Sequence, residues 1–255
     1  MSESGKQLAG KVAIVTGGGQ GIGEAIAVAY GREGAKVIVT GRTQNKLDDV
    51  VGKIKAVGGE AIGLEALAGN REHAEMTVDR AISEWGRVDA LVNNAHTFTD
   101  FLALEDPKME ENCMIDFQSA FFGSLQLMQF CFPHMKAQGS GSIINMGTSY
   151  SIRCEPGFLS YACSKEAIRA LTRTAAREWG KHQIRVNTIL PSALTPKSIW
   201  YLEESGTYDY ELSKVAMGRF GEPKDIAPTA IFLASDASDF VTGQTIGVEG
   251  GAIML

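Results

Sequence analysis

The sequence predicts an α/β protein: a single domain built as a doubly wound parallel sheet of about seven strands, with helices on both faces. Three observations carry this expectation. Short runs rich in Val and Ile alternate along the chain with longer stretches of helical pattern. The short runs are almost continuously apolar, as strands covered on both faces must be, whereas a half-exposed sheet would alternate. No internal repeat, low-complexity tract or Pro/Ser-rich linker divides the 255 residues, so the chain from 1 to 255 reads as one unit.

Taken in order, the strands fall at 12–16, 36–40, 61–66, 90–93, 142–146, 185–190 and 245–248. Each of the first six is followed by enough chain for a crossover helix, and right-handed crossovers put helices on both sides of the sheet. In such sheets ligands bind beyond the carboxyl ends of the strands, where the winding reverses. The residues with chemistry to offer should therefore follow strands, and they do.

Composition narrows the functional classes. A hydrophobic fraction of 44% and a charged fraction of 21% are ordinary for a soluble globular chain. A net charge of −6 leaves no basic stripe for phosphates and argues against a nucleic-acid partner. The most apolar long stretch, 117–132, is interrupted by Gln118, Gln126 and Gln129, too polar to span a bilayer, and reads as a buried or interface helix. The polar start "MSESGKQLAG" lacks the pattern of a secretory signal or transit peptide. Cys113, Cys131, Cys154 and Cys163 form no CxxC pair and have no His-rich partner set, so they read as reduced thiols in a cytoplasmic protein without a metal site.

Directly after the first strand comes "TGGGQGIG", 16–23, followed by a helical run. Gly17 can take a tight turn that a side chain would block, Gly21 lets backbone approach a pyrophosphate, and Gly23 permits close helix packing. The helix start, with Gln20 and Ile22 in the loop, offers free N–H groups and a positive dipole to phosphates. Between a strand and a helix, the motif marks a Rossmann-type nucleotide site. At the end of the second strand an NAD-selective fold carries a carboxylate for the ribose 2′-OH. Here Gly41 stands there and Arg42 follows. An arginine fork without a neighbouring carboxylate suits a 2′-phosphate, which favours NADP over NAD. Gln20 occupies the place where a second basic residue in the loop would have helped.

In "SYACSK" Tyr161 and Lys165 are spaced to share one helix face. That spacing alone is uninformative. Together with "TGGGQGIG", "DALVNNA", "GSIINM", "IRVNTILP" and "GRFGEPKDIA…FLASDASDFVTGQTIGVEGG", in this order and spacing, it resembles the short-chain dehydrogenase/reductase family along nearly the whole chain.

The resemblance implies a catalytic set. Tyr161 would donate or accept the proton, and Lys165 would lower its pKa and hold the nicotinamide ribose. A free phenol titrates near pH ~10. An ammonium about 4 Å away, at an effective dielectric of about 20, contributes roughly 4 kcal/mol or about three pK units, which would bring Tyr161 close to neutrality. Thr148, where the family has Ser, would polarise the substrate oxygen, with Ser149 as the alternative if the loop is shifted by one. Asn93, Asn94 and Ala95 would border the cofactor, with Leu194 facing the carboxamide and Thr195 touching pyrophosphate.

The sequence also departs from the family pattern. NNAG becomes NNAH, so His96 either contacts substrate or is a bystander in a displaced loop. Leu67 replaces the Asp that meets adenine, and Asn70 is positioned to cap the next helix. Anchoring on Gly123 and "PHM" puts Ala120 where the family's helix Asn stands, with Ser119 and Asp116 nearby, which leaves the proton relay to the lysine in question.

The implied activity is an NADP(H)-dependent alcohol dehydrogenase or ketone reductase acting on CH–OH groups. Few charges near the site favour a bulky, largely apolar ketone or secondary alcohol. Alternatives are a 3-oxoacyl thioester reductase, kept open by Arg153, or a cofactor-binding protein with little catalysis. Ile152, Pro156, Gly157 and Phe158 would line the substrate pocket. The segment 196–216, with Trp200, Tyr201, Tyr208 and Tyr210, reads as a variable, mobile lid or as packed aromatic cover. The long helix 108–135 and the helix from Ser160 carry surplus apolar surface, and the resemblance implies a homotetramer, or at least a dimer.

Overall fold

The computed structural model describes residues 5–254, so the first four residues of the polar start lie outside the described residues. Seven strands, β1 (Val12–Thr16), β2 (Lys36–Gly41), β3 (Glu60–Glu65), β4 (Ala90–Asn93), β5 (Gly141–Met146), β6 (Ile184–Pro191) and β7 (Thr245–Val248), form one sheet. Every pairing is parallel, in the order β3-β2-β1-β4-β5-β6-β7. The chain runs outward from β1 through β2 to β3, then crosses back to β4 and runs the other way. That reversal leaves a crevice between the carboxyl ends of β1 and β4, the binding position in doubly wound sheets.

Helices α1 (Gly21–Arg32), α2 (Gln44–Ala56), α3 (Arg71–Trp85), α4 (Met109–Asp116), α5 (Gly123–Gln138), α6 (Tyr150–Arg153), α7 (Leu159–Trp179), α8 (Pro196–Ser205), α9 (Tyr208–Ser213) and α10 (Pro223–Ala234) complete the described elements longer than one 3₁₀ turn, apart from a π-helical segment at Phe117–Phe122. Successive strand residues face opposite ways, so each strand feeds two cores. Ala13, Val15, Val37 and Val39 pack under Ile26 and Tyr30 of α1, Leu47 and Ile54 of α2, and Ile226 and Leu233 of α10. Val12, Ile14, Ile38 and Ile143 pack on the other face under Val78 of α3, Met128 and Met135 of α5, and Ala175 of α7. This is why the strands read as unbroken apolar runs.

The expected strand ends agree with the structure to within a residue or so. Asn70 caps α3, its side chain accepting from the His73 N–H at 3.0 Å. The expected helix 108–135 differs in form. It is broken by the π segment, whose wider turn admits an extra residue and shifts the helix face. The expected lid is two short helices, α8 and α9, and α8 starts on a Thr195/Ser198 capping box with Pro196 in its first turn.

Candidate active site

A cleft of about 590 Å³ runs along the carboxyl ends of the strands, from the glycine loop to α8 and α9. Gly17 and Gly21 line it, both in the left-handed region at φ +62° and +60°. A Cβ on Gly17 would lie 2.9 Å from the Ala95 Cα, so the loop needs glycine for its approach to β4. A Cβ on Gly23 would collide with the Gly17 carbonyl and the Asn94 amide, so Gly23 lets α1 close on the loop itself and lies behind the cleft wall. Asn94 donates from Nδ2 to the Thr16 carbonyl at 2.9 Å, tying the loop to the end of β4. No side chain caps the start of α1, where Gln20 and Ile22 also line the cleft. An open helix start behind a glycine cradle fits a pyrophosphate. Thr195 faces Gly21 across the gap, its methyl 3.5 Å from a Cβ built there. Leu194 lines the cleft too, but its N–H is already given to the Gly221 carbonyl at 2.8 Å, leaving only its carbonyl open.

At the adenosine end, Arg42 is exposed, lines the cleft, and has no side-chain partner among the described residues. The second cation that the glycine loop lacks comes from α2. Lys46 lines the cleft and donates to the Gln20 Oε1 at 2.6 Å. Leu67, 49% exposed, covers the wall where a carboxylate was missing.

Tyr161, Lys165 and Thr148 meet at the middle of the cleft. The first two lie one turn apart on α7, and Thr148 follows β5. Thr148 Oγ1 accepts from the Tyr150 N–H at 3.3 Å, which leaves its own proton for the Tyr161 phenol or a ligand. Ser149 lines the same wall. Burial pushes the Tyr161 phenol up to about 12, against a smaller downward pull from the Thr148 hydrogen bond, and the Asp116 charge adds to the rise. The expectation of a phenol near neutrality is therefore not met in the free protein. Lys165 Nζ lies 5.8 Å from the Tyr161 ring centroid and donates to the Met146 carbonyl at 2.9 Å. Burial lowers Lys165 to about 8, with Asp116 pulling it back up.

His96 lines the cleft beside this cluster, its ring centroid 4.9 Å from that of Tyr161. Its Nε2 lies 2.8 Å from Asp116 Oδ1, and the two side chains are 4% and 0% exposed. Thr99 donates to the other Asp116 oxygen at 3.0 Å. Burial drives the His96 imidazole down to about 4, despite the upward effect of Asp116. The side chain of the long helix that acts on Lys165 is thus Asp116, while Ala120 is fully buried within the π segment. Anchoring on Gly123 missed this because the π turn changes the helical phase.

The substrate lobe is walled by aromatic rings. Phe158 is stacked on Tyr150 with centroids 4.3 Å apart, and Tyr201 lies 4.6 Å from Phe101. Phe98 packs edge-on to His96 at 4.6 Å. Phe98, Phe101 and Tyr150 were not identified from sequence; they sit in patternless loops or a single turn. Trp200 is 49% exposed and is not among the residues lining the cleft, where Tyr201 stands instead. Ile152, Pro156 and Gly157 do not line it either, whereas Arg153 does. Arg153 carries no free charge: Glu155 lies 3.0 Å and Glu211 of α9 2.7 Å from its guanidinium, and Lys214 joins Glu155 at 2.8 Å. Among the described residues, no group of three or more His, Cys, Asp or Glu could hold a metal, and no helix is long and apolar enough to cross a membrane.

A doubly wound sheet with a glycine cradle at its reversal point defines a dinucleotide-binding framework, and comparison with known proteins gives the family. Residues 17–252 match the family model described as Enoyl-(Acyl carrier protein) reductase. The chain is 33% identical over 248 residues to the 3-oxoacyl-[acyl-carrier-protein] reductase FabG of Thermotoga maritima, covering 97% of this chain and 100% of that one. It is 35% identical over 251 residues to the 12alpha-hydroxysteroid dehydrogenase of a Clostridium species, covering 95% and 96%. A short-chain type dehydrogenase/reductase structure from Mycobacterium ulcerans superposes with a TM-score of 0.92 at 28% identity, over 96% of this chain and 90% of that one. A candidate NAD(P)-dependent gluconate 5-dehydrogenase from Beutenbergia cavernae, with NADP bound at low occupancy, gives 0.90 at 32% identity, over 96% and 98%. The chain belongs to the short-chain dehydrogenase/reductase family and is an NAD(P)-dependent oxidoreductase acting on CH–OH groups.

Proposed function

We propose that the protein is an NADP(H)-dependent enzyme interconverting a ketone and a secondary alcohol on a bulky, largely apolar small molecule. One observation carries the reading: Tyr161, Thr148 and Lys165 share a single cleft wall with the unpartnered Arg42 at one end and a cage of aromatic rings at the other. NADPH, when bound, supplies the hydride. Gly17, Gly21, Ile22, the backbone at Gln20 and Thr195 hold the pyrophosphate, with Gly23 keeping the cradle closed. Asn94 and the Leu194 carbonyl border the nicotinamide, and Arg42 and Lys46 hold the 2′-phosphate. Thr148 donates to the substrate oxygen, and Tyr161 gives that oxygen its proton. A phenol held protonated by burial suits this donor role in the reducing direction. Lys165 stays charged at pH 7 and keeps two of its protons for the ribose hydroxyls.

Phe158, Tyr201 and Phe101 would cover an apolar ring system, and α8 with α9 would act as the lid over it. Ser149 and Trp200 are kept as lesser substrate contacts. The hydroxysteroid dehydrogenase relative supports this substrate class. The FabG relatives support a second reading, a 3-oxoacyl thioester reductase, but Arg153 is neutralised by Glu155 and Glu211 and gives an acidic carrier nothing to bind.

Exposed Met114, Ile115 and Phe122 on the long helix, and Phe240 ahead of the edge strand β7, support a homotetramer or at least a dimer; light scattering on the purified protein tests this. Activity is tested by NADPH oxidation against aryl and polycyclic ketones beside an acetoacetyl thioester. Turnover of the thioester alone would replace the first reading with the second. Enhanced NADPH fluorescence with no oxidation by any ketone or thioester would reduce the protein to a binding role.

A further inference from the structure

The His96/Asp116 pair lies at the proposed reaction centre yet has no part in the proton transfer described above. With Asp116 Oδ1 as the acceptor, the ring nitrogen 2.8 Å away, Nε2, carries the imidazole proton. That fixes the tautomer, and Nδ1 is left with a bare lone pair. In the structure Nδ1 is buried and has no hydrogen-bond partner. Burial also keeps the ring neutral, its pKa lowered to about 4, so Nδ1 stays an acceptor throughout the neutral range. A buried acceptor without a donor is costly, and native proteins seldom leave one without a use.

The surroundings say which donor fits. The His96 ring lies against Tyr161 on one side and Phe98 on another, with centroids 4.9 Å and 4.6 Å away, and it lines the cleft where the aromatic wall begins. Asp116 and Thr99 satisfy the polar network at the Nε2 end of the ring, and Nδ1 is the ring nitrogen left without a partner. A ligand whose reacting oxygen sits at Tyr161 and Thr148 therefore brings its neighbouring atoms to His96. We infer that His96 Nδ1 accepts a hydrogen bond from a hydroxyl on the carbon next to the reacting carbonyl, so that the enzyme selects α-hydroxy ketones, and the corresponding vicinal diols, over their deoxy analogues. Asp116 is the positioning residue that sets the tautomer.

This inference rests on Tyr161 holding the substrate oxygen, as proposed above, and the test separates the two. The probes are 2-hydroxyacetophenone and acetophenone, with kcat/KM measured for each and NADPH affinity measured by fluorescence. Wild type should favour the hydroxy ketone at least tenfold. In His96→Phe, which leaves Asp116 its Thr99 hydrogen bond and its charge near Lys165, the ratio should fall to about one while the NADPH Kd changes less than twofold. An unchanged ratio in that variant, or a wild type without preference, overturns the inference. So does a tenfold loss of NADPH affinity with the ratio retained, which would assign Nδ1 to a ribose hydroxyl.

If wild type reduces neither ketone, the functional reading fails, and nitrogen NMR of ¹⁵N-histidine-labelled protein decides the inference by itself. Nδ1 of His96 should resonate as an unprotonated, pyridine-type nitrogen, and 2-hydroxyacetophenone added to the NADP⁺ complex should shift it where acetophenone does not. A protonated Nδ1, or no shift with either ketone, overturns it. In Asp116→Asn the amide can donate to Nε2 and release the tautomer, so a pyrrole-type Nδ1 should appear there; its absence would remove Asp116 from the positioning role.

Discussion

Lys46 of α2 donates to Gln20 Oε1 at 2.6 Å and so carries a positive charge to the rim of the glycine loop, in the cleft that Arg42 also lines. Two cations at one end of the cleft, with no carboxylate between them, suit a dianionic phosphate far better than a ribose diol. Arg42→Ala is expected to weaken NADPH roughly 10- to 100-fold, the range for losing a charge-assisted contact, and to leave NADH within about twofold. Lys46→Gln should give a smaller loss, also confined to NADPH. Fluorescence titration with both cofactors checks this, and equal weakening of the two would remove the 2′-phosphate assignment.

Thr148 accepts from the Tyr150 N–H and is left with one proton to give. Thr148→Val keeps the shape and removes that proton. Turnover should fall about 100-fold or more, as for other donors aimed at a developing oxyanion, while NADPH binding stays within about twofold. Ser149→Ala should lose little. If Ser149→Ala proves the damaging variant, the donor role moves along by one residue.

The parts of this site that the sequence revealed are the local ones. Gly17 and Gly21 follow a strand within a few residues, and Tyr161 and Lys165 lie one helical turn apart, so spacing alone brings each group together. Lys46 meets Gln20 across 26 positions, and only the docking of α2 on the sheet decides that. The role of Asp116 is hidden from any count back from Gly123, because the π segment between them changes the helical phase. Trp200 and Tyr201 are adjacent on α8, about 100° apart around the axis, and composition cannot say which of them faces inward. The Tyr161 pKa departs from the Coulomb expectation for a different reason. A Coulomb term at an assumed separation omits desolvation, which dominates for a phenol buried this completely.

The buried His96 should make the fold sensitive to mild acid. Its imidazole titrates at about 4 in the folded protein, against ~6.5 when free. Between those values the unfolded chain binds the extra proton, so stability rises with pH there and is lost as pH falls from about 6.5 towards 4. The loss should amount to at most about 3 kcal/mol. Asp116 and Lys165 are the charged groups facing the ring. Urea midpoints from pH 7 to 4.5 should fall more steeply for wild type than for His96→Phe, which keeps Asp116 beside Lys165. Parallel curves would show that His96 charges freely in the native state.

Tyr161 and Lys165 should fail in different ways. Tyr161→Phe removes the proton passed to the substrate oxygen and leaves the ribose contacts in place, so NADPH should bind normally while turnover is almost abolished at every pH. Lys165→Met removes a buried ammonium that donates to the Met146 carbonyl and has two protons left for the ribose, so NADPH affinity and rate should fall together. It also removes a cation near a phenol already pushed up to about 12 by burial. Ketone reduction, which needs the protonated phenol, should therefore persist weakly in Lys165→Met with little dependence on pH below 9. Alcohol oxidation, which needs the phenolate, should shift to still higher pH than in wild type. Rate profiles in both directions, together with NADPH Kd values, test the assignment. A Tyr161→Phe enzyme that keeps most of its activity would remove the phenol from the mechanism and leave Thr148 and Lys165 to account for the proton.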